Sequence, residues 1–454
     1  MDKVLDSPAE AIADLGDGAR IAISGFGQTA GSPVSLLGAL RERGTMGLCL
    51  IANGLQPAAQ ALVDQHQVSR LVVSFTTRAG TSTPMEEQIA SGEISFELVP
   101  QGTLVERMRA GGAGLAAIYT PTALGTPIAA GKEVRCFDGG SYVLEMALRA
   151  DYAFIAGVRA DRLGNVEFRG ANVHFGPSFA KASRTVIVEV DEIVDAGEIP
   201  PERVGLPGIF VDRVVRRDGA ADPPRPAVRR PPDQARHYHG KPGWTRAEMA
   251  ERAAALLPEP SYVNLGLGIP TYISSYVADR DIVLHAENGV LAYGPLIAEG
   301  DGDPDVFNAG GQLVARRPGM SFFDSVAAFE MIRSGRVGVV ALGAYQVDRK
   351  GSFANWATPE MQGGGIGGAM DLVAGGALVM VLMEHHDSRG RAKLVESCTY
   401  PLTGVECVDV VVTDLAVLRR AGPKGGGAGF TVESLAPGFT SEEVMELTEF
   451  DPGT

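Results

Sequence analysis

The sequence predicts an α/β protein built from two related domains with mainly parallel sheets, and three observations lead there. Short apolar runs alternate with amphipathic segments along the whole chain. The two halves open with the same order of elements. Between them lies one stretch, residues 216–243, that cannot bury a core. At 454 residues the chain is also too long for a single ordinary core.

In chain order, "ARIAISGFGQTAGSPVSLLGALRER" (19–43) reads as strand, glycine turn, proline, then a helix with Leu36, Leu37 and Leu40 on one face. "RLVVSF" (70–75) and "TVIVEV" (185–190) are further buried strands of the first half. Residues 216–243, "RRDGAADPPRPAVRRPPDQARHYHGKPG", are rich in Pro, Arg and Asp and nearly lack large aliphatics. Such a segment is expected to be an extended or mobile linker, dividing domains 1–215 and 244–454. "SYVNLGLGIPTYISSYVAD" (261–279) then repeats strand, Gly-x-Gly, Pro and helix, and "VGVVALGAY" and "ALVMVLM" supply later strands.

Composition narrows the function. Hydrophobic residues are 45% and charged residues 21%, as in soluble globular proteins. Forty Lys and Arg against 55 Asp and Glu give a net charge of −15, which argues against nucleic acid or an anionic membrane as partner. Four cysteines show no CxxC pair and seven histidines no HExxH, so no metal site is expected, and Cys398 and Cys407 are expected to be reduced. The opening "MDKVLDSPAEAIADL" lacks a secretion signal, and no apolar run is long enough to span a membrane. Cytoplasm is the expected location.

The glycine loops invite a dinucleotide reading and fail it. "GFGQTAG" spaces Gly25, Gly27 and Gly31 one residue too long, no acid follows about 20 residues on, and "GLGIP" lacks a third glycine. What both offer is close backbone approach and free N–H groups suited to anionic ligands. A third cluster, "GGGIGGAMDLV" (363–373), is either a flexible surface loop or a set of amides aimed at developing negative charge. "HAENGVLAYGP" (285–295) places Glu287 between the apolar Ile282-Val283-Leu284 and an Asn-Gly pair. Asn288-Gly289 signals a tight hairpin, in which Glu287 is either a turn-edge residue facing water or a carboxylate held at a buried strand end for chemistry.

Taken together, these runs resemble family I coenzyme A transferases, most closely the succinyl-CoA:3-ketoacid type with α and β subunits fused. "GFG", "PQGTLVERMRAGGAG", "ADRLGNVEFR" and "VIVEVDEIVDAGEIPPERVGLPGIFVDRV" fall in the α-subunit order; "NLGLGIP", "ENGVLAYGP", "LGAYQVD", "ANW", "GGAMDLV" and "YPLTG" fall in the β-subunit order. The resemblance implies two CoA-transferase-type α/β domains, with Glu287 as covalent nucleophile that forms an acyl-glutamyl anhydride and then a glutamyl-CoA thioester in ping-pong turnover. It implies Gln101, Asn264 and the amides of Gly367, Gly368 and Ala369 at the oxyanion and CoA contacts, although capping a turn would equally explain Gln101 and Asn264. Gly25, Gly27, Gly31, Arg78, Thr81, Ser82, Asn288 and Gly311 would line the substrate pocket. CoA enters as substrate, with no permanently bound cofactor; acyl-CoA and carboxylic acids are the partners, and a homodimer is the expected assembly.

The chain departs from the succinyl-type pattern at several places. Gly80-Thr81-Ser82 replaces Gly-Glu-Asn, the loop "SFTTRAGTSTP" is longer, Gly311 replaces a Lys, Ala286 a Ser and Asp324 a Ser. These changes are expected to alter acyl specificity while leaving the reaction type. Two other classes compete: a CoA-thioester hydrolase or carbon–carbon bond-cleaving enzyme on the same fold, and a non-enzymatic ligand sensor, which the missing DNA-binding segment disfavours.

Overall fold

The computed structural model describes residues 2–27, 31–76, 83–219, 234–297, 302–427 and 429–453. Its first large sheet runs Arg213–Arg216, Ser183–Val194, Ala150–Asp161, Arg20–Ile23, Leu48–Gly54, Val68–Phe75 and Ser95–Leu98 from edge to edge. Every pair on that path is parallel; Val166–Glu167 adds a short antiparallel partner to Ala150–Asp161. A parallel sheet is covered on both faces, so its central strands read as unbroken apolar runs, and six consecutive residues of Leu48–Gly54 are buried.

The second sheet has a parallel centre of Ile282–Ala286, Ser261–Leu265, Val339–Leu342, Leu378–Leu382 and Val410–Val412. Antiparallel strands flank it on both sides. In each sheet the chain winds outward from one strand, Arg20–Ile23 or Ser261–Leu265, and then crosses to that strand's other side. Ligands of open α/β sheets bind at the carboxyl end of such a reversal. Both Gly-x-Gly loops lie there.

The halves share a core. One cluster of buried apolar side chains runs from Val105, Phe175 and Phe179 of the first half to Phe329, Ile332 and Leu372 of the second. At its centre lies the helix Gln101–Gly112, buried at every position but Arg109 and Gly112. A smaller cluster of Ala123, Trp356, Ala357, Ile366 and Met370 also joins the two halves.

Two sequence expectations need correction. After "NLGLG" the segment Ile269–Ser275 is a 3₁₀ helix rather than an amphipathic α-helix. Thr271 Oγ1 donates to Gly268 O at 2.7 Å and Ser274 Oγ to Thr271 O at 2.8 Å. Such local hydroxyl bonds compete with the α-helical ladder, and the tighter winding fits them. The expected linker is also shorter at its far end. Residues 237–238 and 241–242 form a hairpin, Tyr238 is buried, and its hydroxyl donates to Asp414 Oδ2 at 2.8 Å. One aromatic among the prolines was enough to dock it. At the near end Arg217 pairs with Glu189 and Asp191.

Candidate active site

Ile282–Ala286 ends in the predicted hairpin. Ala286 pairs with Val290, and the Gly289 N–H donates to Ala286 O at 3.0 Å. Gly289 has φ +97°, and a Cβ there would fall 1.8 Å from Phe323 O, so no other residue fits. The turn reading therefore holds, but its water-facing corollary does not. Glu287 is only 6% exposed, and its Oε2 has no hydrogen-bond partner among the described residues. Burial first, then the charge of Asp371, push the Glu287 carboxyl above its ordinary value; its own backbone N–H and the Asn264 side chain oppose them.

Asn264, at the end of Ser261–Leu265, is fully buried beside this turn. Its Nδ2 lies 3.1 Å from His285 Nδ1. Burial lowers the His285 pKa to about 4, which keeps the ring neutral. The Asn288 Nδ2 donates to Phe307 O at 2.8 Å, which ties this turn to the neighbouring hairpin.

The wall opposite comes from the other half. Gln101 opens the central helix; its N–H donates to Gly367 O at 3.0 Å and its Nε2 to Asn53 Oδ1 at 2.8 Å. Gly368 lies between the halves, where a Cβ would stand 3.1 Å from Gln101 Oε1, 3.2 Å from Glu287 Oε1 and 3.3 Å from Phe329 Cε1. The structure thus brings Glu287, Gln101 and Gly368 to one point.

The 363–373 segment is neither flexible nor superficial. It continues the hydrogen bonding of Val68–Phe75: Ile366 N donates to Ser74 O and Thr76 N to Gly364 O, both at 2.9 Å. Gly364 N donates to Thr76 Oγ1 at 2.9 Å. The Gly367 N–H faces Ser74 O at 3.4 Å, which ties this one of the three expected amides to the first half. Gly368 and Ala369 then open the helix Ala369–Ala374.

At the other expected pocket positions the local backbone sets what fits. Gly25 (φ +142°) could carry no side chain, since a Cβ would meet Gln56 Oε1 at 2.6 Å. At Gly31 (φ +65°) it would meet His174 Nε2 at 2.3 Å, whereas Gly27 faces open space. Gly311 (φ +74°) occupies an open turn whose neighbour Gly310 packs on Leu267 of the second glycine loop. Arg78, Thr81 and Ser82 lie outside the described residues. Asp324, read as a pocket change, caps the helix Ser325–Arg333 by accepting from Ala327 N at 2.9 Å.

Three residues at the site escaped the sequence reading. Asn53 holds Gln101, and His174 joins the halves through its carbonyl, which accepts from Ser325 N at 3.0 Å. The third is Asp371, fully buried, accepting from Gly102 N at 2.9 Å and Thr122 Oγ1 at 3.0 Å. Its signal was available: an acid inside "GGAMDLV" is the same anomaly that marks Glu287. Among the described residues no group of His, Cys, Asp and Glu could hold a metal ion, and no helix is long and apolar enough to cross a membrane. Cys398 and Cys407 are unbridged.

Residues 5–217 and 246–447 match a family model described as Coenzyme A transferase. The chain is 38% identical over 474 aligned residues to the mitochondrial succinyl-CoA:3-ketoacid coenzyme A transferase 2A of Rattus norvegicus, covering 98% of this chain and 88% of that protein. It is 48% identical over 176 residues to one of the subunits of the 3-oxoadipate CoA-transferase of Pseudomonas putida, covering 38% of this chain and 83% of that subunit. Among solved structures, an acyl-CoA transferase from E. coli O157:H7, captured as a thioester complex with CoA, superposes with a TM-score of 0.78 at 20% identity. That match covers 100% of this chain and 93% of the other, and it speaks to the fold.

Proposed function

The chain belongs to the coenzyme A transferase family and is a CoA-transferase, and from that premise we propose that Glu287 carries the transfer covalently. The observation that supports this most directly is a carboxylate buried at the end of a parallel strand, with one oxygen unpartnered among the described residues and the other close to Gly368 of the opposite wall.

The chemistry is the one the family resemblance implies. The Glu287 carboxylate attacks the thioester carbonyl; the carbon–sulfur bond breaks, the thiolate leaves, and an acyl-glutamyl anhydride remains. The thiolate then attacks the glutamyl carbonyl and releases the first acid, leaving CoA as a thioester on Glu287. An incoming carboxylate reverses both steps and departs as the new acyl-CoA. Each half-reaction exchanges one thioester and carboxylate for another, so it is nearly isoenergetic overall, with the anhydride as the high-energy species between. The main hazard is water, which would hydrolyse the anhydride, and burial of Glu287 opposes it. Desolvation also leaves the ionised carboxylate poorly stabilised and therefore more nucleophilic. By the family resemblance, Asn264 and the backbone N–H groups at Gly368 and Ala369 would meet a developing oxyanion; Gln101, which gives Nε2 to Asn53 and turns Oε1 toward Gly368, would take part as an acceptor in the CoA contacts. His285, held neutral, fixes the Asn264 amide.

The acyl group is a separate matter. The loss of a lysine at position 311 and the altered 80–82 segment support a preference away from succinate. A neutral or bulkier acyl group fits better.

Intact-mass spectrometry after incubation with a panel of acyl-CoAs tests the mechanism. Wild type should gain the mass of covalently held CoA, and Glu287→Ala should gain nothing and lose transfer by several orders of magnitude. A Glu287→Ala protein keeping more than a tenth of wild-type activity would sink the assignment.

A further inference from the structure

The helix Gln101–Gly112 starts without a cap of its own. Its N-cap is Pro100, which makes no side-chain hydrogen bond to the first turn. Free N–H groups in a first turn ordinarily take an acceptor from Ser, Thr, Asp or Asn just upstream. Here the acceptor arrives from the other half of the chain. Asp371 Oδ2 accepts from Gly102 N at 2.9 Å, while Oδ1 accepts from Thr122 Oγ1 at 3.0 Å. Gly102 is shaped to this contact, since a Cβ would lie 2.5 Å from Asp371 Oδ1 and 2.6 Å from Phe329 Cδ1.

A second bond lies beside it, from Gln101 N to Gly367 O at 3.0 Å. Residues 101–102 of one half are therefore stitched to 367 and 371 of the other. The side chain of Gln101 and the Cα of Gly368, both within this stitch, lie beside Glu287, where a Cβ on Gly368 would stand 3.1 Å from Gln101 Oε1 and 3.2 Å from Glu287 Oε1. A fully buried carboxylate is a costly way to fill space. The nearest compensating cation, Arg333, is itself bound to Glu106 at 2.8 Å. The positive end of the helix is what balances the charge.

We propose that Asp371 is a positioning residue: it caps the first half's helix in trans and thereby sets Gln101 and Gly368 on either side of the nucleophile. This rests on the reading of Glu287 as nucleophile and adds the device that assembles its surroundings.

The test is a double-mutant cycle of Asp371→Asn and Gln101→Ala in the full chain, measuring kcat, KM and Tm. Asn keeps the size of Asp but loses the charge and gives up one acceptor. Asp371→Asn should lower kcat roughly 10- to 100-fold with KM and Tm little changed. In the Gln101→Ala background it should cost no more than about twofold, because both changes remove the same alignment. Multiplicative losses, a fall in Tm that tracks kcat, or full activity in either single variant would overturn the proposal. Covalent CoA on wild-type Glu287, read by mass in parallel, keeps the two ideas separable. With the adduct present and the cycle additive, only the role of Asp371 fails; with no adduct in wild type, the nucleophile reading fails first.

Discussion

Substituting Gly368 by Ala places one methyl group between Gln101 and Glu287. The backbone there has φ −94° and ψ −1°, open to any residue, so the change brings no dihedral strain. The new Cβ would lie 3.1 Å from Gln101 Oε1, 3.2 Å from Glu287 Oε1 and 3.3 Å from Phe329 Cε1. Each is a few tenths of an ångström inside ordinary contact, so all three neighbours must yield slightly. Overpacking of this kind costs about 1–3 kcal/mol, offset by about 0.4–1 kcal/mol from the stiffer unfolded chain. Stability should thus fall by no more than about 2.6 kcal/mol. Activity should suffer far more, because misplacement near 1 Å costs about 100-fold and here the methyl also crowds Glu287 itself. A loss of roughly 10- to 100-fold in kcat/KM is expected. Gly38→Ala is the control: it lies within the helix Val34–Arg43 with nothing near its Cβ, and should leave activity alone. Steady-state kinetics beside thermal melts decide the matter. If Gly368→Ala keeps more than half of wild-type kcat/KM, the space between Glu287 and Gln101 is not where the reaction happens.

Two further outcomes follow from the same geometry. Only ionised Glu287 attacks, and its carboxyl and that of Asp371, the latter raised to about 6, are both held high by burial. The kcat/KM of the free enzyme should therefore rise with pH along a limb centred above 4.5 that belongs to the pair, with Arg333 the opposing charge. His285, neutral above about 4, should not contribute; a limb at or below pH 4.5 would contradict the burial argument. Gly311→Lys should raise kcat/KM for succinyl-CoA relative to neutral acyl-CoAs by roughly 10- to 150-fold if the side chain reaches a second carboxylate. The φ of +74° adds about 1–2 kcal/mol of strain that melts would register. An unchanged ratio would place the specificity determinant elsewhere.

The order of strands and the two glycine loops were legible because buried parallel strands and their turns leave local signatures. "VNLGLG" and "ISGFG" announce a strand end wherever they occur. The Asn-Gly hairpin was legible for the same reason. The depth of Glu287 was not, since the wall above it is built from Gln101, almost two hundred residues upstream. Periodicity carries no information about which face of one half meets the other. For Asp371 the anomaly of an acid among apolar residues was visible, but its role was not, because its partners Gly102 and Thr122 belong to the distant half. The docked hairpin at 237–242 was missed because composition weighs the prolines and arginines of the segment above its single buried tyrosine.

The bonds between Ser74–Thr76 and Gly364–Ile366 form one antiparallel bridge, with Phe75 opposite Gly365. A bridge has discrete settings: sliding one partner along the other moves it by a whole residue, about 3.3 Å, and turns each neighbouring residue to the opposite face. The register of this single pair therefore fixes, to the step of one residue, where the segment leading to Gly368 meets the half that carries Gln101.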